Sequence, residues 1–220
     1  MGFPARETSL RRPAALVTVP PFRPSVRVMS SENWAECVAR ELLALPLPRR
    51  WAHTRGVAAT AAALAGILGD DDALLVAAAW LHDIGYAPGV AATGLHHLDG
   101  ARYLRDTCHA DDLLCRLVAH HSCAGNEAAE RGVTSEFPAP PGDLADALTY
   151  CDMTTGPDGQ RMPVEQRLAE ILQRYGPGDV VHRAITRSAP EITAAVERVT
   201  RRLNHVRARQ GNGRDALAGC

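Results

Sequence analysis

Imidazoles and carboxylates recur through the middle of this chain, each at or near the end of an apolar segment. In order they are His53 in RRWAHTRGVA, the pair His82-Asp83 in LLVAAAWLHDIGY, His96 in GLHHLDGARYL, the pair His120-His121 in LVAHHS, and Asp152 in LTYCDMTT. A single buried histidine is ordinarily a hydrogen-bonded core residue, and the same holds for a single aspartate. Asp152 follows an apolar helix face (Leu144, Ala147, Leu148, Cys151) and has no visible partner nearby in sequence. An ionised carboxylate costs several kcal/mol to bury unless a cation or strong donors compensate. Several such groups on different helices are each costly, yet together they make a cation site. Imidazole and carboxylate ligands favour divalent transition metals (Fe, Mn, Co, Ni or Zn) over Ca or Mg. They would converge at roughly 2.0–2.2 Å from the ion. Asp83 has two oxygens and could bridge two ions, so the expectation is one or two metals per chain. Water on such an ion ionises near a pH of ~7 and supplies hydroxide.

The order His … His-Asp … Asp, in a helical setting, resembles the HD-domain metal-dependent phosphohydrolase superfamily over about residues 34–200. The resemblance implies that His53, His82, Asp83 and Asp152 hold a first metal, with Asp83 and His82 central to catalysis. The segment HHLDGARYL is similar to the H-x-x-x-G-A segment of two-metal members, which implies His96 as a ligand; AHHS is similar to their His-His pair, which implies one or both of His120 and His121. These would hold a second metal bridged by Asp83. The implied reaction is hydrolysis of a phosphomonoester or phosphodiester, a nucleotide or another small phosphate ester, by a metal-activated water. Arg55, Tyr86 and Arg102 are the candidate contacts to its phosphate. Two alternatives stay open: a mixed-valent di-iron oxygenase cleaving a C–C or C–P bond, and a non-catalytic metal- or nucleotide-binding module. The lysine that cyclic-dinucleotide phosphodiesterases of this superfamily carry four residues after the HD histidine is Tyr86 here, and their G-Y-P signature is absent after His121. Cyclic-di-GMP is therefore not the expected substrate. What remains is similar to a small, stand-alone bacterial HD protein. His97, His109, His182 and His205 are read as solvated or capping histidines.

The elements that must position these groups read as helix after helix, so the expected fold is all-α, a single-domain HD helical bundle. Ser30 or Ser31 can cap a helix over 32–45, which Pro46 and Pro48 end. Further helices are expected over 50–68, from Asp70–Asp72 to Gly85, and over 95–107, 111–122, 142–155, 163–174 and 179–207. The stretch 124–141, with Pro138, Pro140 and Pro141, reads as a long loop. Trp80 is expected in the core, one turn before the site. Residues 1–29 read as a disordered or dispensable tail, 30–207 as the HD domain, and 208–220, with three glycines, as a flexible tail. Arg11-Arg12 precedes an apolar run too short for an export signal, and translation starting at Met29 would account for the odd composition before it.

Composition narrows the classes of function. The 220 residues are 46% apolar and 22% charged, ordinary for a globular domain, and the net charge is −1. No basic excess drives binding to a phosphate backbone, so nucleic acid polymers are not expected partners. No lysine occurs, which removes it as a catalytic candidate. The six cysteines form no C-x-x-C pair, which argues against a structural zinc site and for cytoplasmic thiols. No apolar run suits a membrane span. The expected partner is a small phosphate ester, and a homodimer is left open.

Overall fold

The computed structural model describes residues 31–218, apart from 65 and 68. The tail expected over 1–29 and the Ser30 cap lie outside the described residues. Among these the secondary structure is helical, with one isolated bridge between Thr155 and Arg161 and no strand. The all-α expectation holds.

Helix α1 (Ser31–Leu43) runs into the Leu45–Pro48 turn, and Pro48 then opens α2 (Pro48–Ala62) at the first helical position, where no amide proton is needed. Helix α3 (Asp72–Leu81) is the apolar stretch DALLVAAAWL. It is apolar on most sides because most of it is covered: α1 and α2 pack on it, and so do two later helices, α5 (Asp112–His120) and α7 (Gly142–Met153). Three of its alanines, Ala77, Ala78 and Ala79, are fully or almost fully buried, and their small side chains allow close helix approach. Trp80 is half-buried and stacks on Trp51 of α2 with ring centroids 5.5 Å apart, at the edge of the core.

The helix ends at Leu81, four residues earlier than Gly85. His82 and Asp83 follow it directly, and a single 3-10 turn (Ile84–Tyr86) completes the segment. Gly85 explains the tight geometry there. A Cβ at this position would lie 1.8 Å from the backbone oxygen of His96, so only glycine lets this turn press against α4 (His96–Asp106). The loop before α4 is tied down by Asp99, whose carboxylate accepts the backbone N–H of Ala92 and of Thr93, both at 2.9 Å, and the Thr93 hydroxyl at 2.7 Å.

The stretch 124–141 differs from the expected loop. It contains a short helix, α6 (Gly125–Glu130), whose sequence NEAAE has helical propensity of its own and which packs on the last helix, α9 (Val180–Ala218). The prolines that suggested a loop act only on its C-terminal half. The last two helices are α8 (Val164–Arg174) and α9, which passes through Pro190 and continues helical beyond 207 to Ala218. The backbone of the expected flexible tail is thus helical as far as Ala218. Two core clusters result. The larger lies among α1–α5 and α7; the smaller gathers Met153, Val164, Leu168, Ile171, Ile192 and Val196 beneath α8 and α9.

Replacing Gly85 by Ala is expected to destabilise the fold by about 2 kcal/mol or more, since backbone on both sides must move. A lower urea midpoint checks this; an unchanged midpoint would mean the turn and α4 are not tightly apposed.

Candidate metal centre

Asp83 is 2% exposed and carries no backbone cap; its carboxylate instead meets side chains from four directions. Arg50 of α2 donates through Nη1 to Asp83 Oδ2 at 2.6 Å. The same oxygen lies 3.3 Å from His82 Nε2 and 3.8 Å from His53 Nε2. The other oxygen, Oδ1, lies 3.7 Å from His96 Nε2 and 4.0 Å from His121 Nε2. Asp152, from the last turn of α7, sits 3.0 Å from His53 Nε2 through Oδ1, and the Ser122 hydroxyl donates to its Oδ2.

The tautomers follow from backbone carbonyls. His53 Nδ1–H donates to Gly156 O at 3.0 Å, His82 Nδ1–H to Ala79 O at 2.8 Å, and His121 Nδ1–H to Val118 O at 2.7 Å. A carbonyl only accepts, so each of these three rings holds its proton on Nδ1; Nε2 of His53 and of His82 turns toward the aspartates, and Nε2 of His121 lies 3.2 Å from His96 Nε2. With that proton committed, a bare Nε2 facing a carboxylate at 3.0 Å needs either a second proton or a cation. His82 Nε2 is fully buried and has no hydrogen-bond partner among the described residues. Carbonyl-oriented imidazoles with free lone pairs converging on carboxylates are what transition-metal ligation requires. Among the described residues three groups have ligand atoms within 4.8 Å of one another: His53, His82 and Asp152; Asp83, His96 and His121; and His96, His97 and Glu127, of which the first two contain the oriented imidazoles and the aspartates. The residues present therefore fit one cation at each of those two groups.

The electrostatics agree with the geometry. Burial alone would push Asp83 and Asp152 up; for Asp83 the Arg50 and His82 charges outweigh it, and for Asp152 the His53 hydrogen bond and His82 do, so both carboxyls are held below the usual range. Burial works against a charge on Arg50, and Asp83 overrides it. His82 behaves likewise: burial lowers it and Asp83 more than restores it, so it is raised. His96 is lowered by burial and by His121, and His121 by burial and by His82. Tyr86 is raised by burial and then by Asp83, so its hydroxyl keeps its proton.

The sequence-derived candidates divide accordingly. His53, His82, Asp83, His96, His121 and Asp152 come together. His120 does not: its Nε2–H donates to Phe137 O at 2.7 Å and fastens the loop after α6, because the end of α5 turns its neighbour His121 inward instead. Tyr86 is present, stacked on His96 with centroids 4.1 Å apart and covered by the Arg50 guanidinium at 4.1 Å. Arg55 is exposed and away from the site; two residues after His53, it points to another face of α2. Arg102 is spent on Glu136, with both carboxylate oxygens accepting at 3.0–3.1 Å. His97, read as solvated or capping, is 1% exposed with neither ring nitrogen partnered among the described residues, and burial, followed by His121, lowers it to about 3.

Arg50 and Ser122 were missed. Arg50 stands three residues before His53, and that spacing puts both on one face of α2, a signal present in RRWAH. Ser122 and Cys123 adopt left-handed φ values of 49° and 61°, rare for residues with a side chain; no sequence cue announces that turn, which points Ser122 at Asp152.

The site opens into a cleft enclosing about 690 Å³ of space between atoms, part of it continuous with solvent. Arg50, Asp83, Tyr86, His96, His121 and Asp152 form its floor; α6, α8 and α9 form the walls. A family model described as HD domain matches residues 50–175 of the chain, the span from Arg50 to Tyr175 that contains every residue of the floor. No curated protein and no solved structure matches it.

In metal-free protein, stability is expected to fall as pH drops from 7 to 5. Unfolded imidazoles take up protons near pH ~6.5, whereas His96, His97 and His121 resist protonation when folded, so the unfolded state binds more protons and gains. His82, shifted the other way, offsets one of the three. Urea midpoints of chelator-treated protein at the two pH values check the sign.

Proposed function

The chain belongs to the HD-domain family, and on that footing we propose that it is a metal-dependent phosphohydrolase acting on a small phosphate ester, a nucleotide or a similar compound. The observation that supports this most directly is the set of carbonyl-oriented Nε2 atoms facing Asp83 and Asp152. In this reading His53, His82 and Asp152 would hold one divalent ion, His96 and His121 would hold a second, and Asp83, which stands between the two groups, would serve both. Bound there, such ions would supply Lewis acidity toward a phosphoryl oxygen and a water acidic enough to ionise near neutral pH.

The chain's own residues do the rest. Arg50 carries a permanent charge at the cleft floor and can offer an N–H to a phosphoryl oxygen. Tyr86 fixes the planes of both Arg50 and His96 by stacking, and its retained hydroxyl proton leaves it able to donate a hydrogen bond. Ser122 keeps Asp152 turned toward His53, which prevents that carboxylate from swinging to solvent. Met153 and Ile171 line the cleft beside these groups and exclude water, which strengthens the electrostatics of the floor.

The test is elemental analysis of anaerobically purified protein, followed by turnover of 4-nitrophenyl phosphate and a nucleotide panel with manganese, cobalt and iron. Hydrolysis that depends on added metal is the expected result. Retained iron with substrate-dependent oxygen uptake and no ester hydrolysis would move the protein to the oxygenases of the family. Asp83→Ala is expected to lose activity and most of the metal, and His96→Ala to lose one ion and keep the other. Loss of both ions, or of neither, from the His96 variant contradicts the two-group arrangement.

A further inference from the structure

Helix α8 presents Arg167, Ile171 and Arg174 to the cleft, a spacing of four and seven residues that keeps them on one helix face. Arg167 is 5% exposed, far more buried than arginine ordinarily is. Its Nη1 donates to Glu170 Oε2 at 2.6 Å, but its Nε is buried and has no hydrogen-bond partner among the described residues. Arg174 also bonds Glu170, through Nε at 3.1 Å. One carboxylate thus serves two guanidinium groups and leaves a positive charge over. The acid that lines the cleft wall, Glu127, is taken up by Arg131 at 2.9 Å. Arg50, Arg167 and Arg174 line both the cleft and an adjoining groove, so the three cations stand between the two spaces. A buried guanidinium N–H without an acceptor destabilises the protein, and such a group in a cleft wall calls for an acceptor from outside the chain.

We infer that Arg167, assisted by Arg174, forms a second oxyanion subsite that selects phosphate esters carrying a further phosphoryl or carboxylate group. The inference rests on the hydrolase reading: the scissile phosphoryl lies on the Asp83 floor, and the second anion lies against α8. Arg167 is then a specificity-determining residue. Its planar fork matches an oxyanion in a way a lysine does not, and Glu170 holds that fork in place.

The test compares three substrates on the manganese-loaded full chain: 4-nitrophenyl phosphate with no second anion, 1,3-propanediol bisphosphate, and a phosphorylated 2-hydroxy acid. Arg167→Gln is expected to raise KM about tenfold or more for at least one two-anion substrate, to leave kcat within about twofold, and to leave 4-nitrophenyl phosphate nearly unchanged. Which of the two suffers identifies the second anion as phosphoryl or carboxylate. Arg167→Lys should recover part of the loss, and Arg174→Gln, at a more exposed position, should show a smaller change of the same pattern. Equal losses on all three substrates, or none, overturn the subsite. If Arg167→Gln does not fold, the Lys and Arg174 variants decide alone, and unchanged KM in both overturns it.

A binding arm separates the subsite from the hydrolase reading. Calorimetry of pyrophosphate and of inorganic phosphate should show pyrophosphate weakened about tenfold in Arg167→Gln, with phosphate little affected. Arg167-dependent pyrophosphate binding without ester hydrolysis would sink the hydrolase reading and keep the subsite. Hydrolysis with Arg167-independent pyrophosphate binding would do the reverse.

Discussion

One buried carboxylate organises this molecule. Asp83 follows a largely apolar helix and is 2% exposed, so its charge is placed where little water can solvate it. Removing one partner from a buried ion pair typically costs about 3–5 kcal/mol, because the remaining charge is stranded. The fold answers with donors from several directions: Arg50 and His53 from α2, His82 beside it in the chain, His96 from α4, and His121 from the turn after α5. Helices α2 and α5 are held against α3 directly, and α4 is held by α5 and by the Ile84–Tyr86 turn. The starts of α2 and α4 and the ends of α3 and α5 thus meet around one side chain.

Backbone groups carry the precision. The carbonyls of Gly156, Ala79 and Val118 choose the tautomer of three histidines. They belong to a loop after α7, to the last turn of α3 and to the last turn of α5. In two of the three cases the carbonyl lies three residues before the histidine, at a helix C-terminus where carbonyls lack intrahelical partners. The helix ends that would otherwise leave polar groups unsatisfied are the places where imidazoles are aimed. The turn at Ser122 and Cys123 stores local backbone strain at the same spot, as is common where a side chain must be pointed against the preference of its own backbone.

The helices and the cluster of ligand-type residues were legible in the sequence because both leave periodic or compositional traces. Six of the seven residues read as metal-ligating meet in space. His120 was indistinguishable from His121 on paper; only the end of α5 separates them, and helix ends are the least readable boundary. Arg55 and Arg102 were chosen by nearness to a histidine along the chain, whereas helical spacing of three favoured Arg50. The walls were not legible at all. Arg167, Arg174 and Tyr175 lie beyond every motif in the sequence, and they reach the cleft only because α8 and α9 fold back over Met153 to build a second apolar cluster. The short helix α6 was hidden by prolines that belong to the segment after it. His97 was misplaced for a similar reason: adjacency to His96 says nothing of which neighbour is enclosed.

The carbonyl that orients His53 belongs to Gly156, more than a hundred residues further along the chain. Contacts of such long sequence separation form late, since the intervening loop must close before they yield any return. During synthesis, His53 therefore leaves the ribosome long before the atom that fixes its ring exists. The nascent chain passes through its histidine-rich stretch before the cluster can assemble, so any selectivity among ions would be exercised only after the last wall has closed. Loading would in this sense be a property of the folded protein and of the ion pool it meets then, not of the order in which the side chains are made.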